Sequence, residues 1–274
     1  MNTFLKLLRS AQDEAKSRAC VGLDPVVERL PDELQRLDDR VKAVLRFNEA
    51  IVRATSPYIS AYKINFAFYE ALGPRGMAAV KQTRELIPEG IVTIADAKRG
   101  DIGHSAAFYA QSIFEEMSFD SCTVSPYLGR ESVAPFLSYD DRGTFILART
   151  SNAGSDAVQN FRQSGKQLFV HVAEMAHKWN EDAPGSAGLV TGGTYPDDLQ
   201  KVRESAPGLP LLVPGIGAQG GDVGRVMMAA GDSPLIITSS RSILYAHEGG
   251  SLDEAAEAAG RAAKALRDRI NEPN

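Results

Sequence analysis

The 274-residue sequence holds only two cysteines, one tryptophan and four histidines, and each scarcity removes a class of function. Cys20 and Cys122 stand far apart in apolar segments without C-x-x-C spacing, which excludes a disulfide scaffold and a cysteine-rich zinc site. His104, His171, His177 and His247 show no metal-ligand spacing with carboxylates, and surface or packing roles account for His171 and His177, which fall within one apparent exterior helix. No block of about five or six basic residues occurs, and 30 Lys and Arg against 35 Asp and Glu give a net charge of −5. Binding of nucleic acid through a basic surface is disfavoured, and an anionic ligand would need a few well-placed cations and backbone amides. No run of about 18 apolar residues is present, and the opening MNTFLKLLRSAQDEAK lacks an apolar core with a cleavage site. The expectation is a soluble, cytoplasmic protein. Nucleophilic acyl transfer has no support either, since no G-x-S-x-G elbow or Ser/His/Asp arrangement is found.

What is present is regular alternation. Eight short apolar or β-branched segments lie near Ala19–Leu23, Ile59–Ile64, Ile91–Ala95, Ser121–Ser125, Thr144–Ala148, Gly188–Thr191, Pro210–Val213 and Leu235–Thr238. Amphipathic helical patterns over Arg40–Ala54, Met77–Leu86, Ser105–Met117, Gln167–Trp179, Asp197–Ser205 and Asp222–Ala230 separate most of them. Eight strand–helix units without a Pro/Gly/Ser-rich linker predict an α/β protein folded as one (β/α)8 barrel across residues 1–274. Phe4, Leu7, Leu8 and Ala11 have helical spacing, and Leu252–Ile270 is an alanine-rich helix; both are expected to pack on the barrel's exterior. A doubly wound sheet is the competing architecture, because Gly215-Ile-Gly-Ala-Gln-Gly220 is formally a GxGxxG. It follows the seventh strand, however, and Ser239-Ser240-Arg241 stands about 20 residues on, where a dinucleotide site needs an acidic residue.

In a barrel the chemistry sits at the C-terminal strand ends. The third strand runs through Ile91-Val-Thr-Ile-Ala-Asp96-Ala-Lys98-Arg-Gly-Asp101-Ile102. Period-two alternation puts Asp96 and Lys98 on one face, with Asp101 following a Gly100 turn, so acid, base and acid are expected at one mouth. The second strand adds Lys63 between apolar neighbours, a charge that is costly there unless paired. An ion-pair network closing the barrel top would explain any one of these residues; four at two adjacent strand ends point to a site. The last two strands open into Pro214-Gly-Ile-Gly217-Ala-Gln219-Gly-Gly221 and Ser239-Ser240-Arg241-Ser242, where small residues and an arginine fork suit a phosphate. Two tight turns with a surface arginine are the plainer alternative.

These residues resemble the orotidine 5′-phosphate decarboxylase family, whose signature is D-x-K-x-x-D-I on the third strand of a (β/α)8 barrel. Asp96, Lys98, Asp101 and Ile102 match it, the likeness runs from V-G-L-D-P at Val21–Pro25 through the last phosphate loop, and Arg149-Thr-Ser151-Asn is similar to the family's longer bacterial branch. The resemblance implies decarboxylation of orotidine 5′-phosphate to uridine 5′-phosphate in pyrimidine biosynthesis, without cofactor or metal. Lys63, Asp96, Lys98 and Asp101 would form a charged tetrad, with Lys98 as proton donor to carbon 6 and Asp101, Ile102 and Ser105 reaching the partner's site in a homodimer. Asp24 and Ser105 would touch the ribose, Ser151 the pyrimidine, and Gln219, Arg241 and the Ser240 amide the phosphate, with Pro214 lining the pocket. Three departures stand out: Ser240 where the family usually has glycine, Ser105 where it has threonine, and Ala153 where proline commonly follows Ser151-Asn152.

Two other readings fit parts of the pattern. Sugar-phosphate lyases and synthases of the same barrel group share D-x-K-x-x-D but use Mg²⁺ and an acidic residue where Lys63 stands, and an ammonium cannot ligate a metal. A barrel that binds a nucleotide or sugar phosphate without turnover would leave the buried charges unexplained.

Overall fold

A computed structural model describes residues 2–216 and 222–272. Eight strands, β1 (Ala19–Gly22), β2 (Ala61–Asn65), β3 (Val92–Arg99), β4 (Ser121–Val124), β5 (Gly143–Arg149), β6 (Ser186–Thr191), β7 (Leu211–Pro214) and β8 (Leu235–Ser239), form a closed parallel barrel. β1 pairs with both β2 and β8, so neighbours in the chain are neighbours in space all the way round. The eight segments expected from the sequence are the eight staves, and the (β/α)8 barrel is the observed fold.

Helices α1 (Thr3–Ala15), α2 (Arg40–Thr55), α3 (Pro74–Glu85), α4 (Gly103–Gln111), α5 (Leu168–Glu181), α6 (Pro196–Ser205), α7 (Val223–Ala230) and α8 (Leu252–Asn271) accompany the strands. Their starts follow local chemistry: Asp39 accepts from the Lys42 amide, Asp222 from the Arg225 amide, and Ser251 with Glu254 forms a reciprocal capping box at α8. α4 is shorter than the helical pattern Ser105–Met117, because its last turn widens into a π-turn at Ser112–Glu116. A small antiparallel pair, Arg162–Gln163 with Lys166–Gln167, was not expected; Ser164 and Gly165, both at positive φ, supply the primed two-residue turn it needs.

α1 corrects one expectation. It does not lie on the barrel's outer wall but closes its floor, where Phe4, Leu8 and Ala11 pack with Cys20, Ala61, Val92, Ile94, Phe145 and Ile236, side chains that alternate into the interior. Phe4 meets Phe145 edge to face, and Gly143 admits it: a Cβ there would lie 2.5 Å from the Phe4 ring. α8 does pack on the outside, against α2.

The interior stripe changes character with height. Ala61 gives way to Lys63, Ile94 to Asp96, Ile236 to Thr238, and Cys20 through Gly22 to Asp24. The apolar lower layers join the helix-packed shell in holding the barrel, and the polar upper layer is free to carry chemistry.

Candidate active site

A cavity of about 660 Å³ opens at the C-terminal end of the barrel. Its wall includes Asp24, Lys63, Asp96 and Lys98 on one side and Pro214, Ser240 and Arg241 on another, with Thr150, Ser151 and Asn152 at the end of β5.

Asp96 is the hub. Its Oδ2 accepts from Lys63 Nζ at 2.8 Å, and its Oδ1 from Lys98 Nζ at 2.6 Å and Thr123 Oγ1 at 3.0 Å. Burial opposes charge on this carboxyl, yet the two ammonium groups hold it well below the usual carboxylate range. Lys63, only 6% exposed, also lies 3.5 Å from Asp24 Oδ1. Burial works against its charge too, but Asp24 and Asp96 raise it above the ordinary lysine range. Lys63 is therefore locked between two carboxylates, while Lys98 leaves its side chain 47% accessible.

Simple strand alternation does not by itself place Lys98. The register between β3 and β4 shifts between Ala95 and Arg99, and Lys98 takes a left-handed backbone with φ 46°. Its amide is held by Thr123 Oγ1 at 3.0 Å, so Thr123 fixes both the strained backbone and the carboxylate beyond it. Thr123 was not among the expected site residues, although Ser121 and Thr123 are polar at alternate positions of an apolar strand.

Asp101 departs from the expected convergence. Within one chain neither it nor Ile102 nor Ser105 lines the cavity; the Asp101 carboxylate accepts from the Ile102 amide at 2.8 Å, and Ile102 and Ser105 are exposed. Gln219 lies outside the described residues. Arg241 is exposed at the cavity wall and makes no ion pair among the described residues. The Ser240 hydroxyl donates to Asp24 Oδ2 at 2.7 Å.

Arg149 organises the β5 end. It is 1% exposed and donates to Asp198 at 2.9 Å, Ser155 at 2.6 Å and Asp156 at 2.5 Å, with its guanidinium 4.1 Å from the Tyr195 ring centre. Gln159 completes the tie, accepting from the Thr150 amide at 2.8 Å and donating back to Thr150 Oγ1 at 2.8 Å. A buried arginine closing an apolar strand is the same signal that singled out Lys63; nothing in the sequence marks Gln159. Arg29 also lines the cavity, stacked 3.8 Å over Tyr245 and paired with Glu248.

Fold and site together define a (β/α)8 barrel enzyme-like centre for a small anionic ligand, with paired ammonium and carboxylate groups facing Arg241 across one cavity. Residues 17–258 match the family described as orotidine 5′-phosphate decarboxylase / HUMPS. The chain belongs to that family. It is 46% identical over 272 residues to the orotidine 5′-phosphate decarboxylase of Herpetosiphon aurantiacus, covering 98% of this chain and all of that one, and 45% identical over 273 residues to that of Thermomicrobium roseum. The solved structure of Leishmania donovani OMP decarboxylase superposes with a TM-score of 0.83 at 36% identity, covering 99% of this chain and 98% of its own.

Proposed function

We propose that this chain decarboxylates orotidine 5′-phosphate to uridine 5′-phosphate, in pyrimidine biosynthesis, and that Lys98 is the proton donor. The single observation that carries the mechanism is the Lys63–Asp96–Lys98 row, which presents one accessible ammonium to the cavity and buries the other charges behind it. Breaking the bond from carbon 6 to the carboxyl group leaves its electron pair on carbon 6, a carbanion the ring delocalises poorly. Lys98 supplies a cation against that developing charge and then gives its N–H proton to carbon 6, taking another from water afterwards. Asp96, fixed as an anion, stands next to the path of the departing carboxylate. Arg241, with Pro214 and the Ser240 amide beside it, takes the phosphate, and Gln219 joins them; Ser151, presented by the Arg149 network, takes the pyrimidine, and Asp24 the ribose.

The reading assigns no metal or other cofactor. The sugar-phosphate branch of the family group needs an acidic ligand where Lys63 stands, and an ammonium held between Asp24 and Asp96 has no lone pair to offer. It also assigns a homodimer in which Asp101, Ile102 and Ser105 complete the partner's site. Its support is an apolar exposed surface around α4, with Ile102 at 51%, Phe108 at 67% and Tyr127 at 85% exposure. A cytoplasmic location accords with Cys20 and Cys122, which are free, buried and, by that burial, raised in pKa, Cys20 to about 12.

The decisive assay follows the loss of orotate-ring absorbance when EDTA-treated protein meets orotidine 5′-phosphate. Native protein is expected to consume it after chelation, and Lys98→Ala to lose roughly a thousandfold or more of kcat. Near-normal kcat in Lys98→Ala would remove the proton-donor assignment; activity only on pentulose or hexulose phosphates with Mg²⁺ would replace the substrate.

A further inference from the structure

Ser240 Oγ donates to Asp24 Oδ2 at 2.7 Å, and this bond exists only because residue 22 is glycine. A Cβ on Gly22 would sit 1.9 Å from Ser240 Oγ and 3.0 Å from Asp24 Oδ2, so the two strand ends could not bring the pair together. Both groups line the cavity. Asp24 Oδ1 faces Lys63 Nζ at 3.5 Å and accepts from the Asn65 amide at 3.3 Å. A carboxylate has about four lone-pair positions, so Oδ2 keeps one for a ligand after Ser240 is satisfied.

The direction of the Ser240 bond decides what the hydroxyl can do. Its one proton is committed to an anion, a charge-assisted bond, and what remains toward the cavity is a pair of acceptor positions. Such a group does not serve a phosphate oxygen, which needs a donor. It serves a ligand hydroxyl. Asp24 Oδ2 and Ser240 Oγ thus form a short acceptor-only edge, 2.7 Å between its two oxygens, between the charged row and the wall carrying Arg241.

We infer that the Asp24–Ser240 pair, made possible by Gly22, reads the hydroxyls of the substrate's sugar, with Ser240 Oγ accepting from one of them and so setting the preference for ribose over deoxyribose. This rests on the proposed nucleotide substrate and adds to it a specificity-determining side chain. A deoxy ligand leaves the edge facing an apolar carbon, and buried acceptors without a donor are the strong form of discrimination.

Calorimetric titration with uridine 5′-phosphate and its 2′-deoxy and 3′-deoxy analogues tests it. Native protein is expected to bind the ribonucleotide roughly tenfold or more tightly than at least one analogue. Ser240→Ala is expected to weaken the ribonucleotide by roughly tenfold while moving that analogue by less than about twofold, so that the preference collapses. Gly22→Ala, which pushes Ser240 Oγ off Asp24, should reproduce the collapse if it folds; Ser240→Ala decides the matter if it does not. Equal weakening of all three ligands would mean a disturbed loop and would overturn the inference, as would a preference that survives Ser240→Ala or one absent from native protein that binds all three. Native protein that binds none of them would overturn the proposed function itself.

Discussion

Asp96 can stay ionised although buried because two lysines share it, and the pH behaviour of the fold follows from that. Its folded-state pKa lies below the unfolded value of about 3.9, so its contribution to stability is complete above about pH 5 and is lost as the pH falls through the acid range. Lys63 has the opposite sign: its folded-state value lies above the unfolded value of about 10.4, so its contribution is complete at neutral pH and is lost only in strong base. Neither group titrates between about pH 5 and 9. Lys63→Met leaves two carboxylates facing an apolar chain, and urea unfolding at pH 7 should show a loss of about 3–5 kcal/mol. The deficit should narrow below about pH 4, where the Asp96 carboxyl of the unfolded chain, and that of the variant without its Lys63 partner, take up protons. A deficit independent of pH would mean that packing, not charge, is what Lys63 supplies. The pairing of these residues was legible from one costly lysine and one D-x-K; Thr123, which ties Lys98 and Asp96 together, was not, since a threonine in a strand is ordinary until its neighbour's backbone turns left-handed.

At the scale of elements, the barrel divides into a floor and a mouth with separate duties. Phe4 is fully buried beneath the strands, so Phe4→Ala should cost about 3–5 kcal/mol of stability in urea titration and leave the KM for orotidine 5′-phosphate unchanged. A raised KM at unchanged stability would contradict that division. At the mouth, the segment after β5 hangs on Arg149. Lysine at this position keeps the charge but cannot reach Asp198, Asp156 and Ser155 at once. Hydrogen exchange of the amides over 150–160 should therefore quicken by roughly tenfold in Arg149→Lys, while β1–β3 keep their protection. Uniform quickening across the barrel would show Arg149 to be a global support rather than a local one. The strands themselves were readable as apolar runs. The floor position of α1 was not, because the spacing of Phe4, Leu8 and Ala11 shows which face is apolar and not which surface it covers.

For the molecule as a whole, the proposed pairing of two chains is testable in solution. With Asp101 turned to its own Ile102 amide and exposed apolar side chains around α4, the proposed dimer makes a prediction that a monomer cannot meet. Lys98→Ala and Asp101→Asn proteins are each expected to be nearly inactive. Mixed after gentle dissociation, they should recover about a quarter of native activity, because random pairing in a symmetric dimer gives one intact site in half of the dimers. No recovery, with mixed dimers verified by mass spectrometry, would remove the shared-site reading.

The sequence alone determined the barrel, since eight apolar segments separated by amphipathic helices leave few closed alternatives, and it determined which strand ends carry charge, since ionisable residues at the close of apolar runs are conspicuous. Tertiary structure alone decided how those charges meet. The bulge that swings Lys98 back to Asp96, the Gly22 gap that lets Ser240 reach Asp24, and the distance of Asp101 from the cavity all depend on contacts between strands far apart in the chain. Local pattern records the periodicity of one segment; the registry and spacing between segments are set only when the barrel closes.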